Sequence, residues 1–113
     1  RGLALVWMDM SEVPLPDGDE KREILAIHQR RAEAAAGRPL FRNVDYDAIL
    51  ARTVKMSGGD LAEILQRALE EKARREGAGE QPGPVETDDI LRVIEDYRRI
   101  KEVVEKIRYG QYL

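Results

Sequence analysis

The chain reads as an all-α domain of four helices preceded by a short extended lead, and three observations predict it. Apolar residues recur at steps of three and four in four separate stretches, each stretch opens on a capping residue, and Gly or Pro clusters divide one from the next. A length of 113 residues with 42% apolar content suits one domain with a modest core.

The lead comes first. Leu3 to Met8 is an apolar stretch that can form a strand whose sheet partners lie elsewhere, and Val13-Pro14-Leu15-Pro16 is an extended stop before the first helix. Asp17 then caps the first helix, with Glu20 at the position for a reciprocal capping box. Ile24, Leu25, His28, Ala32 and Ala35 give that helix one buried face, and Gly37 followed by Pro39 stops it. Asp45 caps a small helix from Tyr46 to about Arg52, whose inward side is Tyr46, Ile49 and Leu50.

Ser57 caps the third helix, with Asp60 at its third position, and Leu61, Ile64, Leu65, Ala68 and Leu69 repeat at helical spacing until Arg75 to Gly77. Gly77 to Pro84 holds three glycines and two prolines and is a loop. Thr87 is expected to cap the last helix, with Asp88 and Asp89 in its first turn, where free amides favour negative charge. Ile90, Val93, Tyr97, Ile100, Val104 and Ile107 form a seven-residue repeat, and Leu91, Ile94 and Val103 widen it beyond a two-stranded seam. The expectation is that this face packs against helices of the same domain, with a helix stop and short aromatic tail after Arg108.

Composition excludes several kinds of chemistry. Lys and Arg total 19 against 22 Asp and Glu, a net charge of -3, so no nucleic-acid partner is expected. Arg30-Arg31, Arg74-Arg75 and Arg98-Arg99 are interrupted by acids and read as solvated faces. With no cysteine there is no disulfide, thiolate or iron-sulfur chemistry, and one histidine leaves the usual zinc geometries out of reach. No apolar run approaches the roughly 18 residues of a membrane span, and no signal-peptide pattern follows Arg1. A cytoplasmic fragment of a larger protein is the expectation.

Taken alone, His28 reads as a core histidine satisfied by one hydrogen bond. Gly58 and Gly59 read as a turn that permits close backbone approach and unusual dihedrals, and Ser57 and Asp60 as caps. In order along the chain, however, several segments resemble the small C-terminal lid domain of AAA ATPases. Val13-Pro14-Leu15-Pro16-Asp17 with Lys21-Arg22-Glu23-Ile24-Leu25 and His28 is similar to the passage into the family's first lid helix. Asp45 to Thr53 followed by Met56-Ser57-Gly58-Gly59-Asp60-Leu61 resembles its short helix and the turn usually written Ser-Gly-Ala-Asp-Leu, and Thr87-Asp88-Asp89-Ile90 resembles the start of its last helix. The resemblance covers about residues 12 to 100.

It implies a division into residues 1–16 as a lead from a missing or divergent large domain, 17–108 as the helical lid and 109–113 as a tail. It further implies that ATP or ADP is bound by the full-length parent, with His28 near the adenosine, adenine lying against Gly58 and Gly59, and Leu61 in the same set. The magnesium site and phosphate loop belong to the large domain and have no counterpart in this sequence, so phosphoryl transfer is not expected from this chain alone. Trp7-Met8-Asp9-Met10 stands where the family carries inter-subunit arginines. The implied partners are that large domain, neighbouring subunits of a hexameric ring and a protein client. The competing reading is a helical interaction module that docks a partner through its last helix and needs no nucleotide.

Overall fold

A computed structural model describes residues 15–108, and within them the architecture is all-α. Helix α1 spans Gly18–Ala36, α2 Tyr46–Ala51, α3 Gly58–Gly77 and α4 Thr87–Arg108. The expected strand at Leu3 to Met8 and the expected tail at 109–113 lie outside the described residues.

Local chemistry sets the helix limits. The Asp17 side chain accepts from the Glu20 amide at 2.8 Å, and Glu20 accepts from the Asp17 amide at 3.2 Å. Ser57 and Asp60 repeat this reciprocal cap on α3. Each cap is worth about 1 kcal/mol, because it satisfies amides that no helical carbonyl can reach. Gly37 ends α1 in the left-handed region, at φ 69°. The Glu33 carboxylate then accepts from the Leu40 and Phe41 amides and turns the chain back.

The last helix departs from expectation at both ends. Thr87 is its first helical residue and not its cap, because the Thr87 hydroxyl is engaged elsewhere, donating to the Asn43 carbonyl at 3.1 Å and accepting from the Asp45 amide at 2.8 Å. Asp89 accepts from the Glu86 amide at 2.9 Å and closes the first turn. These bonds join the start of α4 to the start of α2. Beside them Phe41 and Val85 form an isolated parallel bridge, flanked by Arg42 N–H to Val85 O at 2.9 Å and Val85 N–H to Leu40 O at 2.8 Å.

Helices α1 and α3 run parallel: the Ile24 side chain lies beside Gly58 at one end, and Ala32 and Leu69 line one cleft at the other. Helix α4 returns antiparallel to α3, with Lys72 on Asp89 at 3.1 Å and Lys101 on Asp60 at 3.0 Å. Leu25, Ile49, Leu61, Ile64, Ile90 and Ile94 fill the centre and are essentially inaccessible to water. Burying each contributes about 1.5–3 kcal/mol, which is what holds four short helices together.

The face of α4 is buried only along its first half. Ile90 and Ile94 are enclosed, but Ile100, Val103, Val104 and Ile107 are between 46% and 63% exposed, so the expected packing within the domain does not extend to them. For Val103, Val104 and Ile107 the cause is register. Lys101 is level with Asp60 in the first turn of α3, and at 1.5 Å per residue the remaining seven residues carry α4 about 10 Å past that level. At the opposite end Ala35 is also exposed, on the wall of a cleft of about 1110 Å³ between the ends of α1 and α3 and the 80–85 segment.

Candidate functional site

Of the four residues singled out in the sequence, Gly58, Gly59 and Leu61 sit in the first turn of α3, and His28 lies near the middle of α1. His28 is half-buried on α1, one helical turn beyond Ile24. Ile24 is the side chain that touches the turn: a Cβ built on Gly58 would stand 3.3 Å from Ile24 Cδ1. Gly59 faces outward and is exposed, and a Cβ there would meet only Ser57 Oγ, at 3.7 Å. Leu61 is fully buried, so its side chain supports the turn from the core side and presents no surface of its own.

One expectation about the turn is corrected. Gly58 and Gly59 have ordinary helical backbones, and the glycines at positive φ among the described residues are Gly37, Gly79 and Gly83. Close approach, not unusual dihedrals, is what the pair permits: Gly58 admits Ile24 beneath it, and Gly59 leaves the outer surface bare.

Behind the turn stands a polar cluster that sequence reasoning assigned only in part. Asp60, read as a cap, also accepts from the Tyr97 hydroxyl at 2.5 Å and from Lys101 at 3.0 Å. Burial by itself would raise the Asp60 pKa, but Tyr97, the Ser57 amide and Lys101 outweigh it and hold the carboxyl at about 2. Tyr97 is pushed up to about 12 by burial and by the Asp60 charge facing it. Arg67 lies over the Tyr97 ring, 5.4 Å from its centre. The signal in the sequence was there: Tyr97 is the one polar-tipped residue in the apolar repeat of α4, and Lys101 follows one turn later.

Lys21 was also missed. It is 4% exposed on the first turns of α1, its stem lies in the core and its ammonium donates to the Thr53 carbonyl. Burial lowers its pKa.

Of the paired arginines noted in the sequence, Arg74 pairs with Glu71 and Arg75 with Glu80. Among the described residues there is no group of three or more His, Cys, Asp or Glu that could hold a metal ion, and no helix is long and apolar enough to cross a membrane.

Comparison with known proteins adds a similarity in sequence. The ATP-dependent zinc metalloprotease FtsH 2 of Sphaerobacter thermophilus is 42% identical over 66 residues, 57% of this chain and 9% of that protein. FtsH 1 of Methylacidiphilum infernorum is 35% identical over 83 residues, 74% of this chain and 11% of that protein. The chain is homologous to a segment of FtsH, an AAA+ ATPase. FtsH of Rhodococcus erythropolis matches over a longer stretch, 94 residues or 83% of this chain, at 31% identity and 10% of its own length. The chain thus spans about a tenth of the length of the curated FtsH relatives it matches. No protein-family profile matches it, and no solved structure does.

Proposed function

We propose that residues 17–108 are the lid domain of a ring-forming AAA+ ATPase, contacting adenosine at the Ser57-Gly58-Gly59 turn and moving with nucleotide state. The observation that carries this reading is the bare turn. Gly59 opens an unobstructed outer face, and His28 lies one turn along α1 from Ile24, the side chain that packs under Gly58. A purine edge needs such a surface, flat and without side chains, together with a polar neighbour. His28 supplies packing and a hydrogen bond there.

Homology to FtsH supports a ring-ATPase setting, and the segment it covers includes no phosphate loop in this sequence. In this reading phosphate and magnesium are held by a large domain outside residues 17–108, and the lid contributes an adenosine contact and leverage. Its partners are then that domain, the adjoining subunits of a hexamer and a protein client on the cytoplasmic side. The test is a pair of amide NMR spectra of the labelled chain with and without millimolar ADP. Shifts gathered at His28, Gly58, Gly59 and Leu61 are expected; shifts elsewhere that avoid His28 and Gly59 would move the assignment to another surface.

A second reading, a helical interaction module without nucleotide, is favoured by the exposed Ile100, Val103, Val104 and Ile107 on α4. It predicts no response to ADP at the turn, in this chain or in its parent.

A further inference from the structure

One carboxylate joins the first turn of α3 to the second half of α4, while the other ion pair between these helices, Lys72 on Asp89 at 3.1 Å, lies at the opposite end. The Asp60 Oδ2 atom accepts the Ser57 amide at 2.9 Å and the Lys101 ammonium at 3.0 Å, while Oδ1 accepts the Tyr97 hydroxyl at 2.5 Å. The Asp60 amide in turn donates to Ser57 Oγ at 3.2 Å. The same oxygen therefore closes the cap of α3 and holds α4.

We propose that Asp60 is a joint through which α4 sets the geometry of the Ser57-Gly58-Gly59 turn, which makes Tyr97 and Lys101 positioning residues for the adenosine group resting there. The proposal depends on the nucleotide reading for the identity of that group, and on nothing but the geometry for the joint itself.

Three features argue for transmission and against a mere staple. Gly58 and Gly59 lie between the two capping residues and carry no Cβ, so a shift of Asp60 relative to Ser57 is absorbed by their backbone and not by a side chain. Gly58 is backed by Ile24 at 3.3 Å from its Cβ position, whereas Gly59 has only Ser57 Oγ at 3.7 Å, so the displacement appears on the outer, exposed side of the turn. Lys101 is also the last polar tie of α4 to the rest of the bundle among the described residues. Beyond it the helix runs on with its apolar residues exposed, so any body that covers that end has a lever on Asp60.

The network is built to survive loss of one member. Tyr97 keeps its ring under Arg67 when its hydroxyl is removed, and Lys101 is a partly exposed side chain whose stem can be kept by methionine. Tyr97→Phe and Lys101→Met therefore test the joint without emptying the core.

The experiment compares amide spectra of the labelled 113-residue chain, wild type against Tyr97→Phe, Lys101→Met and the double variant, first without nucleotide and then with ADP. Without nucleotide, the variants are expected to move the signals of Ser57, Gly58 and Gly59 while those of Ala32 and Ala73, at the far end, stay in place. Lys101→Arg, which keeps a cation on Asp60, is expected to leave the turn as it is in wild type. With ADP, the double variant is expected to weaken binding at the turn by about fivefold, at the low end of coupling between linked sites. Unchanged Ser57, Gly58 and Gly59 signals in the double variant would overturn the joint. An ADP titration that leaves the wild-type turn untouched would instead overturn the nucleotide reading, and the comparison without nucleotide would still decide the joint.

Discussion

Alanine at position 59 is expected to stabilise the fold, and alanine at position 58 is expected to do so less. Both residues have helical backbones, so neither substitution meets a left-handed φ. Replacing a glycine of that kind removes freedom from the unfolded chain and yields about 0.4–1 kcal/mol when the folded site has room. At Gly59 the new methyl meets only Ser57 Oγ at 3.7 Å, an ordinary contact, so the full gain is realised. At Gly58 it stands 3.3 Å from Ile24 Cδ1, and the end of a side chain packed against the core must retreat by a few tenths of an ångström, which offsets part of the gain. For a domain of this size each kcal/mol moves the melting midpoint by about 4–8 °C. Gly59→Ala should thus melt roughly 2–8 °C above wild type, followed by far-ultraviolet circular dichroism. A midpoint below wild type, or a larger rise for Gly58→Ala, would refute the assignment of Gly59 as the open side of the turn. The functional arm uses bulk: Gly59→Phe should stay folded, because its side chain leaves toward solvent, yet lose the ADP response.

Two further outcomes follow from buried charge. Asp60 titrates at about 2 against a usual 3.8, so the folded state binds its proton less readily than the unfolded chain. The contribution, at most about 2 kcal/mol, is whole above pH 4 and is lost as pH falls toward 2, and Tyr97→Phe should shrink that acid-limb loss in urea melts. Lys21→Met keeps the buried stem but takes away one of the two donors to the Thr53 carbonyl, which still accepts from the Met56 amide at 3.1 Å, and should cost about 0.5–1.5 kcal/mol in the same assay; a loss above about 3 kcal/mol would show that the lysine does more than supply one hydrogen bond.

What could be read in advance was whatever is encoded within a few residues. The reciprocal caps at Asp17 and Ser57, the stop at Gly37 and the short helix after Asp45 depend on neighbours three or four positions away, and each stands where the pattern puts it. Thr87 was misjudged because its hydroxyl answers to Asn43 and Asp45, more than forty residues earlier, and no local rule contains that partner. Lys21 was passed over for a similar reason: a lysine on an amphipathic face is ordinarily solvated, and its burial follows from where Thr53 falls. The candidate turn was legible as a motif, but its working parts were not. Periodicity identified Tyr97 as an inward residue without saying that its hydroxyl reaches the cap of another helix.

The apolar repeat of α4 carries the broader lesson. A period of three and four residues says that a face will be covered, but not by what, and here the bundle covers only as far as Tyr97. The same helix therefore has two mechanical regimes. Its first half is clamped by Ile90 and Ile94 in the core and by the Asp89–Lys72 pair; its second half is held by the Asp60 cluster and then continues with its apolar residues exposed. A helix anchored at one end and exposed at the other converts a push at the exposed end into rotation about its last tie. Because that tie is the residue closing the cap behind Gly58 and Gly59, the rotation arrives at the bare turn. If adenosine rests on that turn as proposed, the nucleotide and whatever covers the exposed helix end are linked, and binding at either place must alter the other by the same factor.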